Sequence, residues 1–333
     1  MTPPDRELLG DLLKRVSRSF YLTLRALPGS VRRQIGLAYL LARATDTIAD
    51  TPIVPLERRL QALARFRERI LGVGSGPLEF GDLAASQGTP GERALLEKSE
   101  FALELLLTLS QSDLDLVRRV LDTITGGQEL DLQRFGRVLP GQVQALRSAA
   151  ELDDYTYRVA GCVGDFWTRI CRAHLFPDFP LDEAKLLQDS VRFGKGLQLV
   201  NILRDLPTDL KNGRCYLPED QLSSQGLAPG DLLRADAEPR LRPVYDEWLD
   251  RAAGHLAAGW TYTNALPRLQ VRVRLTCAWP ILIGVRTLEL LRSNPALGAP
   301  CKVTRKDVTA IIRRSILLYP FKGAWQRLGP ELR

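Results

Sequence analysis

LAYLLARATDTIADT, residues 37–51, reads as one helix from end to end. Leucine and alanine, both good helix formers, make up nearly half of it, and no proline interrupts it. Its two aspartates, Asp46 and Asp50, stand four apart, so they share one helix face about 6 Å apart along the axis. The same face carries Ala42, Tyr39, Ala38 and Ile35. Two carboxylates that continue such a stripe repel each other. They are costly to bury unless they are paired or bound to a cation.

A second stretch, GKGLQLVNILRDLPTD at 194–209, repeats the arrangement. Asn201, Asp205 and Asp209 make an i, i+4, i+8 row of oxygen ligands, and Gln198, Leu197 and Gly194 precede them on that side. Pro207 stands inside the pattern and predicts an end or kink of the helix before Asp209. Spacing by itself decides little. The chain holds two more such pairs, Asp178/Asp182 between prolines and Asp246/Asp250 among other charges. The first breaks helix continuity and the second reads as a solvated face. Arg43 lies three residues before Asp46, and Arg204 adjoins Asp205. Hard oxygen donors suit Mg²⁺ shared with phosphates, and guanidinium groups suit phosphate oxygens. Helix caps and ordinary ion pairs are the competing reading.

The rest of the chain is helical in pattern, with no convincing alternating strand run. Helices are expected over about 5–17, 31–50, 56–71, 92–110, 113–134, 141–148, 153–175, 182–211, 241–264, 268–292 and 304–318. The expected architecture is one all-α domain over residues 1–333, with many helices around a central cavity.

Composition narrows the chemistry. At 333 residues, 45% hydrophobic and 26% charged, the chain is an ordinary globular protein. Five scattered cysteines without a CxxC argue against zinc and a disulfide framework, and two histidines leave little room for histidine-based sites. The net charge of +7 suits phosphorylated substrates or an anionic membrane surface. No nucleic-acid motif accompanies it, so nucleic acid is not an expected partner. The N-terminal sequence has no signal-peptide core and no apolar run reaches membrane-spanning length, which makes a cytoplasmic location the expectation.

Five segments run in a recognisable order: SRSF (17–20), ARATDTIAD (42–50), YTYRVAGCVG (155–164), GLQLVNILRD (196–205) and NGRCYLP (212–218). Through them the chain resembles the squalene/phytoene synthase family, the head-to-head prenyl transferases, and within it squalene synthase most. The resemblance implies an isoprenoid-synthase-like fold and condensation of two farnesyl diphosphates to presqualene diphosphate. NADPH-dependent reduction to squalene would follow, as in sterol or hopanoid biosynthesis. It implies Mg²⁺ at Asp46, Asp50, Asn201, Asp205 and Asp209. Diphosphate would be held by Ser17, Arg18, Arg43, Gln198 and Arg204. Phe20 would stabilise a carbocation, and Tyr155 would handle a proton. NADPH would meet Lys302, Arg305 and Lys306, although Thr304 stands where a second basic residue is expected. No GxGxxG is present, so that binding would be non-Rossmann.

Ala49 and Thr208 replace acids usual in the two motifs, and no membrane anchor like the late helix of eukaryotic squalene synthases is expected. Dehydrosqualene, phytoene or presqualene diphosphate are alternative products. A non-catalytic helical adaptor is the alternative outside enzymology. Peripheral association with the inner membrane surface for product release is the open question about location.

Overall fold

In the computed structural model, residues 7–17 and 21–330 are described. The chain divides into two compact units, Met1–Gly136 with Phe166–Asp178, and Arg137–Asp165 with Phe179–Arg333.

In the first unit, α1 (Gly29–Ala49) buries Val31, Ile35, Ala38, Leu41, Ala44 and Ile48, the three-to-four spacing of an apolar stripe. It packs against α2 (Leu56–Leu71), α3 (Pro90–Glu97), α4 (Ser99–Leu106) and α5 (Gln111–Phe135). The single helix expected over 92–110 is two, broken at Lys98. Asp50 is the C-cap of α1, its N–H bonded to the Asp46 carbonyl at 2.9 Å, so the two acids finish the helix together.

In the second unit a two-stranded parallel sheet pairs β1 (Gln144–Leu146) with β2 (Arg214–Pro218). This corrects the helix expected at 141–148. Gln144 N–H donates to the Gly213 carbonyl at 2.9 Å, and Gly213 turns the chain into β2 with a φ of 76° that favours glycine. The unit also holds α6 (Ala149–Thr156), and a π-helical turn (Tyr157–Gly161) leads into α7 (Cys162–Leu175). The central helix is α8 (Glu183–Lys211), packed against α9 (Glu238–Ala265) and α10 (Val271–Arg292). The small residues of 155–164 have a plain use. A Cβ on Gly164 would stand 2.0 Å from the Ser190 carbonyl, and one on Gly194 would stand 2.2 Å from that of Ala160. Only glycine lets α8 come this close.

Pro207 does not end α8, which runs on to Lys211. Proline cannot donate to the carbonyl four residues back, that of Leu203. The buried Tyr245 hydroxyl of α9 donates to it instead, at 2.9 Å. Burial pushes the Tyr245 hydroxyl's pKa upward, so it stays protonated and able to donate. No helix among the described residues is long and apolar enough to cross a membrane.

Candidate active site

The site on the first unit is built around Arg43. One guanidinium nitrogen donates to Asp46, one turn ahead, and the other donates to Glu92 at 2.8 Å. Glu92 is held from behind, because Thr89 caps α3 and its hydroxyl donates to the Glu92 carboxylate at 2.8 Å. Burial, then the like charge of Asp50, pushes the Asp46 carboxyl up to about 6, against the pull of Arg43. The Asp46 side chain keeps 40% of its surface, so water screens part of this cost. A cleft of about 400 Å³ opens here, lined by Arg43, Thr47, Asp50, Thr51, Gln87 and Glu92 among others. That is the size of a small-molecule site. Glu92 was not among the expected site residues. Its sequence signal, TPGE at 89–92, reads as a capping box and nothing more.

On the second unit α8 carries Gln198, Asn201, Asp205 and Asp209 in line. Asn201 is exposed and the other three are half-buried. Arg204 folds back on Asp205 with two hydrogen bonds, at 2.9 and 2.5 Å. Adjacent helix positions do not face each other, so only the length of the arginine makes this pair. Tyr155 of α6 is buried and stacks on Tyr216 of β2, with ring centroids 4.8 Å apart and planes 22° apart. The NGRCYLP segment thus supplies the strand that backs Tyr155. Burial raises the Cys162 and Cys215 thiols to about 12, so both stay protonated and neither supplies a thiolate.

The remaining expectations are placed as follows. Ser17 is buried and its hydroxyl donates to the Leu13 carbonyl at 2.5 Å, while Arg18 and Phe20 lie outside the described residues. Lys302, Arg305 and Lys306 are exposed at the start of α11 (Arg305–Leu318). Thr304 is the N-cap of that helix, in a capping box with Asp307, which accounts for a threonine where a basic residue was expected. Ala49 is buried in the core and Thr208 is exposed. The two other aspartate pairs are structural. Asp182 caps α8 through the Lys185 N–H at 3.0 Å, while Asp246 and Asp250 pair with Arg242 and Arg292.

The donor set fits a hard divalent cation. Asp46 and Asp50 are like charges on one helix end, and every candidate donor is an oxygen. Among the described residues no three ligating side chains close on one point.

Comparison with known proteins gives the family. The squalene/phytoene synthase family pattern matches residues 13–307. A presqualene diphosphate synthase from Rhodopseudomonas palustris is 30% identical over 301 residues, which cover 88% of this chain and 91% of that protein. The squalene synthase of Schizosaccharomyces pombe is 25% identical over 314 residues, covering 92% of this chain and 64% of that protein. Among solved structures, TcSQS in complex with the ligand BPH1237 has a TM-score of 0.74 at 22% identity, covering 97% of this chain and 91% of the other. This last is a likeness of all-α fold.

Proposed function

Because the chain belongs to the squalene/phytoene synthase family and is therefore a prenyl transferase of the head-to-head kind, we propose that it condenses two farnesyl diphosphates into presqualene diphosphate. The observation that carries this reading is the cleft beside α1, where Arg43 joins Asp46 to Glu92 and Asp50 lines the wall.

Ionisation breaks the allylic carbon–oxygen bond of the donor, and the electron pair leaves with diphosphate. Arg43 and Arg204, with Arg18, are the groups that would offer paired N–H donors to diphosphate oxygens, and Gln198 would add a neutral contact, whereas the buried Ser17 hydroxyl is spent on the Leu13 carbonyl. Asp46 and Asp50 on α1, and Asn201, Asp205 and Asp209 on α8, would hold Mg²⁺, which when bound neutralises the leaving diphosphate. The cation left behind survives only where water is excluded, and Phe20 supplies an aromatic face for it. The acceptor's double bond attacks, and loss of a proton closes the cyclopropane. Tyr155, fixed by its stack on Tyr216, is the group that takes or relays that proton.

Reduction to squalene is the second reading. It rests on the exposed Lys302, Arg305 and Lys306, whose charge suits the phosphates of NADPH. They suit it by charge alone, at a helix start already capped by Thr304 and Asp307. Peripheral association with a membrane belongs to the same proposal, since substrate tails and product are lipids.

Pure protein incubated with farnesyl diphosphate and Mg²⁺, with and without NADPH, tests both readings by product identification. Presqualene diphosphate without NADPH supports the first. Squalene appearing only with NADPH establishes the second, and dehydrosqualene in both conditions rejects the reductive step. Phytoene from geranylgeranyl diphosphate, with farnesyl diphosphate inert, overturns the substrate. No diphosphate release from either substrate overturns catalysis by this site.

A further inference from the structure

The corner where the 266–270 loop meets the end of α11 exposes large apolar side chains on a rigid support. Leu269 is 93% exposed, Leu317 70%, Phe321 64% and Ile316 48%. The two segments are tied together: the Tyr319 hydroxyl donates to the Arg268 carbonyl at 2.6 Å, and the Arg268 guanidinium donates to the Pro320 carbonyl at 2.5 Å. Behind them Trp325 stacks on Trp260, with centroids 5.1 Å apart, and the buried Arg274 lies over the rings of Tyr319 and Trp325. Asn264 takes hydrogen bonds from both Arg274 and Trp325. The exposed side chains therefore cannot fold inward without breaking this cluster.

The charge around them is of one sign. Arg272, Arg313, Arg314, Lys322 and Arg327 are exposed. No aspartate or glutamate occurs from 251 to 288 or from 308 to 330. We propose that this corner is the surface by which the enzyme docks on an anionic bilayer, with the apolar side chains entering the headgroup boundary and the cations resting on anionic headgroups. The proposal rests on the reading that the enzyme works at a membrane, and adds the face it uses. Charge chooses the occupant. A second copy of this chain would bring the same cations against themselves, and a nucleic acid has no use for exposed Leu269 and Phe321.

Co-sedimentation with phosphatidylcholine vesicles, with and without phosphatidylserine, tests it. The wild type is expected to bind the anionic vesicles and to release as salt rises. Arg313→Gln with Arg314→Gln should weaken binding roughly 25-fold, about fivefold per charge, while Arg65→Gln with Arg119→Gln should leave it near wild type. Leu269→Ser with Phe321→Ser should abolish the binding that survives high salt. No wild-type binding to either vesicle overturns membrane docking altogether. Wild-type binding that Arg313→Gln/Arg314→Gln leaves intact, or that the control pair weakens equally, overturns this surface and leaves docking elsewhere. Self-association without lipid, lost in Leu269→Ser/Phe321→Ser, assigns the corner to a second copy instead. Diphosphate release measured without vesicles should be unchanged in every variant, which separates failure of docking from failure of the catalytic reading.

Discussion

On α1 the two acids stand at the helix end, and Arg43 one turn back is shared between Asp46 and Glu92. On α8 the acids lie within the helix, and Asp205, about as exposed as Asp46, is matched by its own neighbour Arg204. In the first arrangement burial, then the like charge of Asp50, outweighs the pull of Arg43, so the Asp46 carboxyl is pushed up to about 6. The second balances its charge locally and depends on packing to keep the helix straight past Pro207. The acids of α1 are thus set apart by electrostatics and those of α8 by helix packing.

The sharpest test of that contrast is Asp46→Asn, which should lower kcat by roughly a thousandfold. The metal-free protein should melt no lower at neutral pH, because the change removes a carboxylate that burial and Asp50 both oppose. Asp205→Asn should cost closer to a hundredfold. Near-normal turnover in Asp46→Asn removes it from the site.

Packing should matter more on the other helix. Gly164→Ala is expected to destabilise the protein by about 3 kcal/mol, since its Cβ would meet the Ser190 backbone of α8 at 2.0 Å. Gly36→Ala in α1 meets only side chains, Leu9 at 3.4 Å and Leu13 at 3.7 Å, and should lie within about 1 kcal/mol of neutral. Denaturant midpoints decide this, and equal costs at the two positions would erase the distinction.

Acid should loosen the α8 side. His255 of α9 lies against Gly196 of α8, and burial, then Arg192 and Lys195, lowers its pKa from 6.5 to about 4, with Asp153 opposing them and Arg251 adding to them. The unfolded chain therefore takes up this proton more readily. The stabilisation is fully present above pH 6.5 and is lost as pH falls toward 4, by about 2 kcal/mol after screening. His255→Gln should flatten that part of the stability–pH curve, and an unchanged curve would assign the slope elsewhere.

The smallest expected effect is the most specific. Tyr245→Phe should cost about 1 kcal/mol by leaving the Leu203 carbonyl without its donor. In a Pro207→Ala background the restored N–H serves that carbonyl, so the same change should become nearly silent. A full cost in both backgrounds would show that Tyr245 acts by packing alone.

Much of this was legible in the chain. The helix over 56–71 falls where leucine and arginine periodicity put it, and the acids of α1 and the α8 row lie on the helices expected to carry them. The misses have physical causes. Gln144–Leu146 reads as helix former, but pairing with Arg214–Pro218, far along the chain, overrides the preference. Glu92 joins Arg43 across 49 residues, a contact no local pattern announces. The helix expected over 182–211 is present, but how it tolerates Pro207 was not legible, because the donor to the Leu203 carbonyl comes from Tyr245, 42 residues beyond it.

The sequence by itself determined the helical class, the spacing that puts each acid pair on one face, and the small residues that allow close helix contact. These follow from backbone propensity and period, which act over a few residues. Tertiary structure decided which of those acids is strained, which is balanced, and which group serves the carbonyl that Pro207 leaves without a donor. Those outcomes depend on burial and on partners distant in sequence, whose proximity exists only once the chain has folded.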